Sequence, residues 1–160
     1  MDAENLDDEE ELARTAYHEA GHCVMAVLGG AMVSRASIAP DENRLHGQVE
    51  IHWPRNAKTE DQLATILAGP VAEMIYRGEP LHPGFVAEWS QDWMQAWQLA
   101  RPKFSNDPRC LEVLERSVAN LYRMLAQDRY WSAIAAVQDL LFAHEEIEHD
   151  QIAYEVNAWL

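Results

Sequence analysis

The chain has 160 residues, two cysteines and a formal net charge of −15. This length suits one domain, so we interpret residues 1–160 as a single domain. The negative charge argues against partners such as nucleic acid or anionic membranes, which require clusters of Lys and Arg. No apolar run approaches the 18 or more residues of a membrane span, so no membrane insertion is expected. The acidic N-terminus is unlike a signal peptide, and two cysteines are too few for a disulfide framework, which together favour a cytoplasmic protein.

The first part of the chain predicts one helix followed by a small antiparallel β element. Residues 1–11 are strongly acidic and form either a solvated arm or the first turns of this helix. Apolar residues then recur at helical spacing until Gly29-Gly30 ends the helix. Residues 32–38 predict a strand that ends at Pro40, and the alternation of residues 48–53 predicts a second strand beside it.

The remainder of the chain predicts further helices, so the fold class is mainly α. Helical spacing covers residues 59–77, where Pro70 should kink or break the helix. Later helices are predicted at 86–99, 107–127 (with Asp107 as N-cap), 130–143 and 150–160, with a loop at 81–84.

The most informative motif is His18-Glu19-Ala20-Gly21-His22 within the first helix. Residues at i and i+4 lie on one face of a helix, about 5–6 Å apart between Cβ atoms, so both imidazoles can reach one metal ion. Glu19 then stands beside that metal, where the base for a metal-activated water belongs. Gly21 costs about 1 kcal/mol relative to Ala in mid-helix, which indicates close approach of another element.

A catalytic zinc site requires three protein ligands and one open position. His18 and His22 supply two of them, and the nearby downstream acids are Asp41, Glu42 and Glu50. These acids fall in or beside the predicted strands, which makes them weak candidates. Spacing alone therefore leaves the third ligand open.

The chain also resembles the peptidase domain of the FtsH-type (paraplegin-like) ATP-dependent zinc metalloproteases. The similar segments are residues 15–22, 33–40, 46–49, 67–73, 90–92 and 140–147, in the order of that family. The resemblance implies Zn2+ as cofactor, His18 and His22 as ligands, Glu19 as base and Asp92 as third ligand. It covers the peptidase part only, so we expect a peptidase domain without the ATPase module or membrane helices.

Several residues depart from the pattern of that family. The segment before Asp92 is bulky, ending in Trp89, where the family has small residues and glycine. Pro70 replaces an arginine, and Glu88, one helical turn before Asp92, is the alternative ligand. Glu73 is a candidate carboxylate partner for a ligand histidine.

The other side chains with metal-binding potential have simpler interpretations. We expect Cys23 to be a core thiol, because it points about 100° away from His22 on the helix. Trp89, Trp93 and Trp97 form an i, i+4, i+8 stripe, which favours core packing or a subunit interface over a substrate-binding wall. The histidines without ligand spacing are expected at the surface or in the core: His46, His52, His82, His144 and His149.

Together these patterns favour a zinc-dependent metalloendopeptidase that hydrolyses peptide bonds in unfolded or flexible polypeptides. The edge of the small sheet could bind an extended peptide by strand addition. The alternative is a catalytically inactive relative that serves as a binding or regulatory module, although an intact Glu19 speaks against it. A homo-oligomer and a separate ATPase partner are further open predictions, and the absence of a P-loop motif predicts that the chain alone acts independently of ATP.

Overall fold

The computed structural model describes residues 3–39 and 47–160, and within them the fold is mainly α-helical, as predicted. The helices are α1 (Ala3–Leu28), α2 (Thr59–Arg77), α3 (Ser90–Ala100), α4 (Asp107–Leu125), α5 (Asp128–His144) and α6 (His149–Trp159). Among the described residues, no helix combines the length and the apolar character needed to cross a membrane.

A small antiparallel sheet follows α1, which confirms the predicted β element. Its strands are β1 (Met32–Ser37), β2 (Gln48–His52) and β3 (Glu146–Ile147), in the order β2-β1-β3. Ala36 pairs with Val49 on one side and with Ile147 on the other. The sheet packs on α1 with Val33 and Ala36 fully buried. The sequence did not predict β3, because two residues are too few to show an alternating pattern.

The acidic N-terminal segment forms the first turns of α1, because the helix begins at Ala3. The side chains of residues 7–11 are exposed to solvent along it. This outcome selects the helical interpretation over the solvated arm. The end of the first predicted strand at Pro40 lies outside the described residues.

Close contact between α1 and α2 forms the centre of the core. The prediction for Gly21 is confirmed, because a Cβ there would lie 2.8 Å from the Cβ of Ala72 and 3.0 Å from the carbonyl carbon of Ala68. Next to it, the Tyr17 ring stacks on Tyr76 of α2 at 4.3 Å and on Trp131 of α5 at 5.3 Å. These contacts fix the rotation of α1, and with it the direction of the histidine face.

Three predicted helix details are corrected by the structure. Pro70 does not break α2, which runs as one helix through this buried residue. The helix predicted at 86–99 begins instead at Ser90, after two 3-10 turns at Pro83–Phe85 and Ala87–Trp89. The N-cap of α4 is Asn106 and not Asp107, because the Asn106 side chain accepts a hydrogen bond from the backbone N–H of Arg109.

Candidate metal centre

Three side chains from two helices converge on one point. His18 and His22 project from the same face of α1, and Asp92 lies in the first turn of α3. Oδ2 of Asp92 is 2.8 Å from Nε2 of His18 and 3.4 Å from Nε2 of His22. One ligand atom from each of the three residues lies within 4.8 Å of the others. The donor set of two imidazoles and one carboxylate is the composition that catalytic zinc sites use.

The outer nitrogens of both histidines face further polar groups. Nδ1 of His22 donates a hydrogen bond of 2.8 Å to the carbonyl oxygen of Thr65, which leaves Nε2 as the nitrogen directed at Asp92. Nδ1 of His18 lies 3.6 Å from Oε2 of Glu73, which is longer than a hydrogen bond but close enough for the charges to interact. Such outer partners fix the tautomer and orientation of metal-binding histidines.

The backbone of α2 approaches both histidine rings closely because residue 69 is glycine. A Cβ on Gly69 would lie 2.5 Å from Cε1 of His22 and 2.7 Å from Nε2 of His18, far inside van der Waals contact. A side chain at this position would therefore displace both rings. The donor set and the tautomer of His22 together fit a bound zinc ion.

Glu19 faces the same cavity as the three clustered residues. The cavity has a volume of about 240 Å³ and is lined by His18, Glu19, His22 and Asp92 together with residues of β2, α2 and α3. Glu19 is only 6% exposed. Gly47 packs against it closely, since a Cβ there would lie 2.5 Å from Cγ of Glu19. The carboxylate is thus held beside the cluster.

The charges of the cluster shift the pKa of each member in the metal-free protein. Burial lowers the pKa of His18, but the Asp92 and Glu73 carboxylates outweigh it and raise the value to about 10. The pKa of His22 is also raised, chiefly by Asp92, although burial by itself would lower it. Burial raises the pKa of Asp92, yet the two histidines hold it well below its ordinary value. Burial raises the pKa of Glu19 despite the opposing histidines. Without metal, the cluster is therefore held together by ion pairs.

The alternative third ligands do not belong to the cluster or lie outside the described residues. Glu88 is exposed on the 3-10 turn before α3 and lines the same cavity, but among the described residues the cluster contains Asp92 and not Glu88. Glu50 accepts a hydrogen bond of 3.1 Å from Ser34 on the sheet. Asp41 and Glu42 lie outside the described residues.

Cys23 and the three tryptophans of the predicted stripe contribute to packing. Cys23 is fully buried, and burial raises the pKa of its thiol well above the ordinary value, so it is a core thiol as predicted. Trp89 is 1% exposed, and Trp93 and Trp97 are half-buried against the core, which supports packing over a substrate wall. Because Trp89 precedes α3, the three do not share one helix, contrary to the predicted stripe.

The histidines outside the motif do not join the cluster among the described residues. His52 lies 3.0 Å from the hydroxyl of Ser34, and His149 accepts a hydrogen bond from the backbone N–H of Val33. The His82 ring packs at the edge of Trp93, while His144 is exposed. His46 lies outside the described residues.

Four features of the site are visible only in the folded chain. They are the carbonyl of Thr65, the close approach of Gly69 to both histidine rings, the contact of Gly47 with Glu19, and the hydrogen bond from Nε1 of Trp89 to Glu73. Two of these features involve a glycine, Gly47 or Gly69. In the sequence a glycine can indicate a close contact, but not the side chain that makes it. The other two depend on how α2 lies against its neighbours.

Comparisons with known proteins agree with a relation to zinc metalloproteases. No family model matches the chain. The chain is 33% identical over 103 residues to an ATP-dependent zinc metalloprotease FtsH of Protochlamydia amoebophila, covering 59% of this chain and 10% of that protein. It is 40% identical over 80 residues to an ATP-dependent zinc metalloprotease FtsH of Mycoplasmopsis pulmonis, covering 44% of this chain and 11% of that protein. The chain thus spans about a tenth of the length of these curated relatives, and about half of it is similar to part of an FtsH protein.

Proposed function

We propose that this chain is a zinc-dependent metalloendopeptidase that hydrolyses peptide bonds in unfolded or flexible polypeptides. The observation that carries the proposal is the convergence of His18, His22 and Asp92, whose ligand atoms lie within 4.8 Å of one another. Glu19 lines the same cavity, and we assign it the role of general base. The similarity of about half of the chain to part of FtsH zinc metalloproteases supports the same conclusion.

The residues of the site divide the work between binding and proton transfer. His18, His22 and Asp92 would hold zinc, which supplies Lewis acidity and activates water for attack on a carbonyl. The Glu19 carboxylate accepts a proton from the attacking water and later donates it to the nitrogen of the leaving amine. Burial raises the pKa of Glu19 in the metal-free protein despite the neighbouring histidines.

The shape of the site favours an extended substrate. One wall of the cavity consists of Gln48, Val49 and Ile51, which belong to β2. Within residues 3–39 and 47–160, β2 is an edge strand of the sheet order β2-β1-β3, and we propose that its outer side accepts the substrate by strand addition. A cavity of about 240 Å³ accepts a few side chains of an extended segment and excludes a folded domain.

Metal analysis and peptide cleavage together test the proposal. Elemental analysis should find about one zinc per chain, and His18→Ala or His22→Ala should lose it, since each removes one of three ligands. Glu19→Gln keeps the size of the side chain but removes the base, so zinc should remain while cleavage of denatured casein falls by about 10²-fold or more. Glu11→Gln, an exposed acid on the same helix, is the matched control and should cleave as wild type does.

The outcomes separate the enzyme from its main alternative. If wild type with one bound zinc cleaves no unfolded substrate between pH 6 and 9, a range around the pKa of about 7 for metal-activated water, the chain is a binding or regulatory module. Cleavage that persists in Glu19→Gln would point to a contaminating protease. ATP should change neither result, while homo-oligomerisation, a separate ATPase partner and cytoplasmic location stay predictions from the sequence.

A further inference from the structure

A buried tryptophan contacts the metal cluster through one intermediate residue. Trp89 is 1% exposed on the 3-10 turn before α3. A buried indole N–H needs a hydrogen-bond partner. Here Nε1 of Trp89 donates to Oε2 of Glu73, itself only 9% exposed on α2. The hydrogen bond thus satisfies two buried polar groups that would otherwise lose their contacts with water.

The same carboxylate oxygen faces the candidate ligand His18. Oε2 of Glu73 lies 3.6 Å from Nδ1 of His18, and Nε2 of that ring lies 2.8 Å from Oδ2 of Asp92. The imidazole therefore lies between two carboxylates, one on each nitrogen. The Trp89 N–H donates its hydrogen bond to this same carboxylate oxygen.

We propose that Trp89 is a positioning residue for the metal centre, acting through Glu73 on His18. The indole N–H fixes the Glu73 carboxylate behind His18, and the carboxylate orients the ring and makes its inner nitrogen a better metal ligand. The inference rests on the proposed zinc site. Packing alone does not explain the arrangement, since a phenylalanine would fill much of the same space but could not hold the carboxylate.

A double-mutant cycle of zinc affinity tests the inference. The four proteins are wild type, Trp89→Phe, Glu73→Ala and the double variant, each titrated with zinc against a chromophoric chelator. Trp89→Phe keeps an aromatic ring and removes the N–H, so zinc affinity should fall by about 10-fold, the lower end of the usual effect of outer-shell partners. In the Glu73→Ala background the same change should alter zinc affinity by less than about twofold, because the carboxylate through which Trp89 acts is already absent. Trp97→Phe, a half-buried tryptophan on α3, is the matched control and should bind zinc as wild type does.

A second measurement keeps the test valid if Trp89→Phe fails to fold by circular dichroism. In wild type, the assigned indole N–H resonance of Trp89 should exchange slowly with solvent and shift when zinc binds. If the indole proton exchanges rapidly and its resonance does not shift when zinc binds, the inference is overturned.

The cycle also distinguishes the inference from the proposed function. Wild-type zinc affinity in Trp89→Phe, or an equal loss in both backgrounds, would overturn the positioning role alone, because additive effects indicate packing. A wild-type protein that binds no zinc would overturn the proposed function and this inference with it.

Discussion

Replacing Gly69 with alanine should remove the metal site while leaving most of the fold intact. The added Cβ would lie 2.5 Å from Cε1 of His22 and 2.7 Å from Nε2 of His18, where ordinary van der Waals contact begins at 3.4 Å. Both rings must therefore retreat by about 1 Å from the point at which they converge. Zinc–nitrogen bonds of about 2.0–2.1 Å tolerate deviations of only about 0.2 Å.

The magnitude follows from comparing two opposing effects. Alanine is favoured over glycine in a helix by about 1 kcal/mol, while overpacking costs about 1–3 kcal/mol, so Gly69→Ala should destabilise the metal-free protein by about 0–2 kcal/mol. Zinc affinity should fall by at least about 100-fold, or about 2.7 kcal/mol, because two of three ligands are displaced together. The loss should thus appear mainly in metal binding.

Gly21→Ala is the comparison variant for this prediction, because its added Cβ meets α2 directly and not the histidine rings. Its Cβ would press on the backbone of Ala68 and lie 2.8 Å from the Cβ of Ala72, neither of which can rotate away. Thermal unfolding in the presence of a chelator should therefore show a larger loss of stability for Gly21→Ala than for Gly69→Ala. Among variants that fold, chelator competition should show a larger loss of zinc affinity for Gly69→Ala than for Gly21→Ala. Zinc binding by Gly69→Ala within about threefold of wild type, on the order of 0.7 kcal/mol, would refute the proposed position of the metal.

Asp92→Ala should weaken zinc binding at least about tenfold more than Glu88→Ala in the same titration, because only Asp92 joins the cluster; the opposite ranking would make Glu88 the ligand. Zinc binding near pH 7 should release protons, because the pKa of His18 is about 10 in the metal-free protein and the bound ligand must be deprotonated. Affinity should then rise about tenfold per pH unit for each proton released between pH 6 and 9, which calorimetry in buffers of different ionisation enthalpy can measure; a pH-independent affinity would contradict this. Glu145→Gly should stabilise the protein by up to about 1 kcal/mol in thermal unfolding, since Glu145 has a φ of 63°, and Glu146→Gly in the adjacent strand should not.

The local part of the site could be predicted from the sequence. His18 and His22 face one point because four residues make about one turn, whatever surrounds the helix. Glu19 follows from the same spacing, and the burial of Ala16 and Ala20 confirms the predicted apolar face. Local geometry fixes these positions, so a single sequence is sufficient.

The distant part of the site could not be predicted from spacing. Asp92 follows His22 by 70 residues, and the resemblance to a family selected it over Glu88. The distinction depends on where α3 begins: with Ser90 as its first residue, Glu88 falls on a preceding 3-10 turn. Pro70 does not break α2. Burial of this helix in the core stabilises it by more than the missing backbone hydrogen bond of Pro70 costs.

The two glycines at the α1–α2 contact show how helix packing determines the chemistry of the site. Each costs about 1 kcal/mol in helix propensity, so the close approach of the two helices must offset about 2 kcal/mol. Gly21 lets the backbone of α2 come near α1, and Gly69 lets that backbone approach the two histidine rings without a clash. The same approach brings the Thr65 carbonyl to His22 and the Glu73 carboxylate towards His18. The metal-facing geometry therefore depends on the packing of two rigid helices rather than on loops, which is the arrangement that holds a catalytic site most precisely.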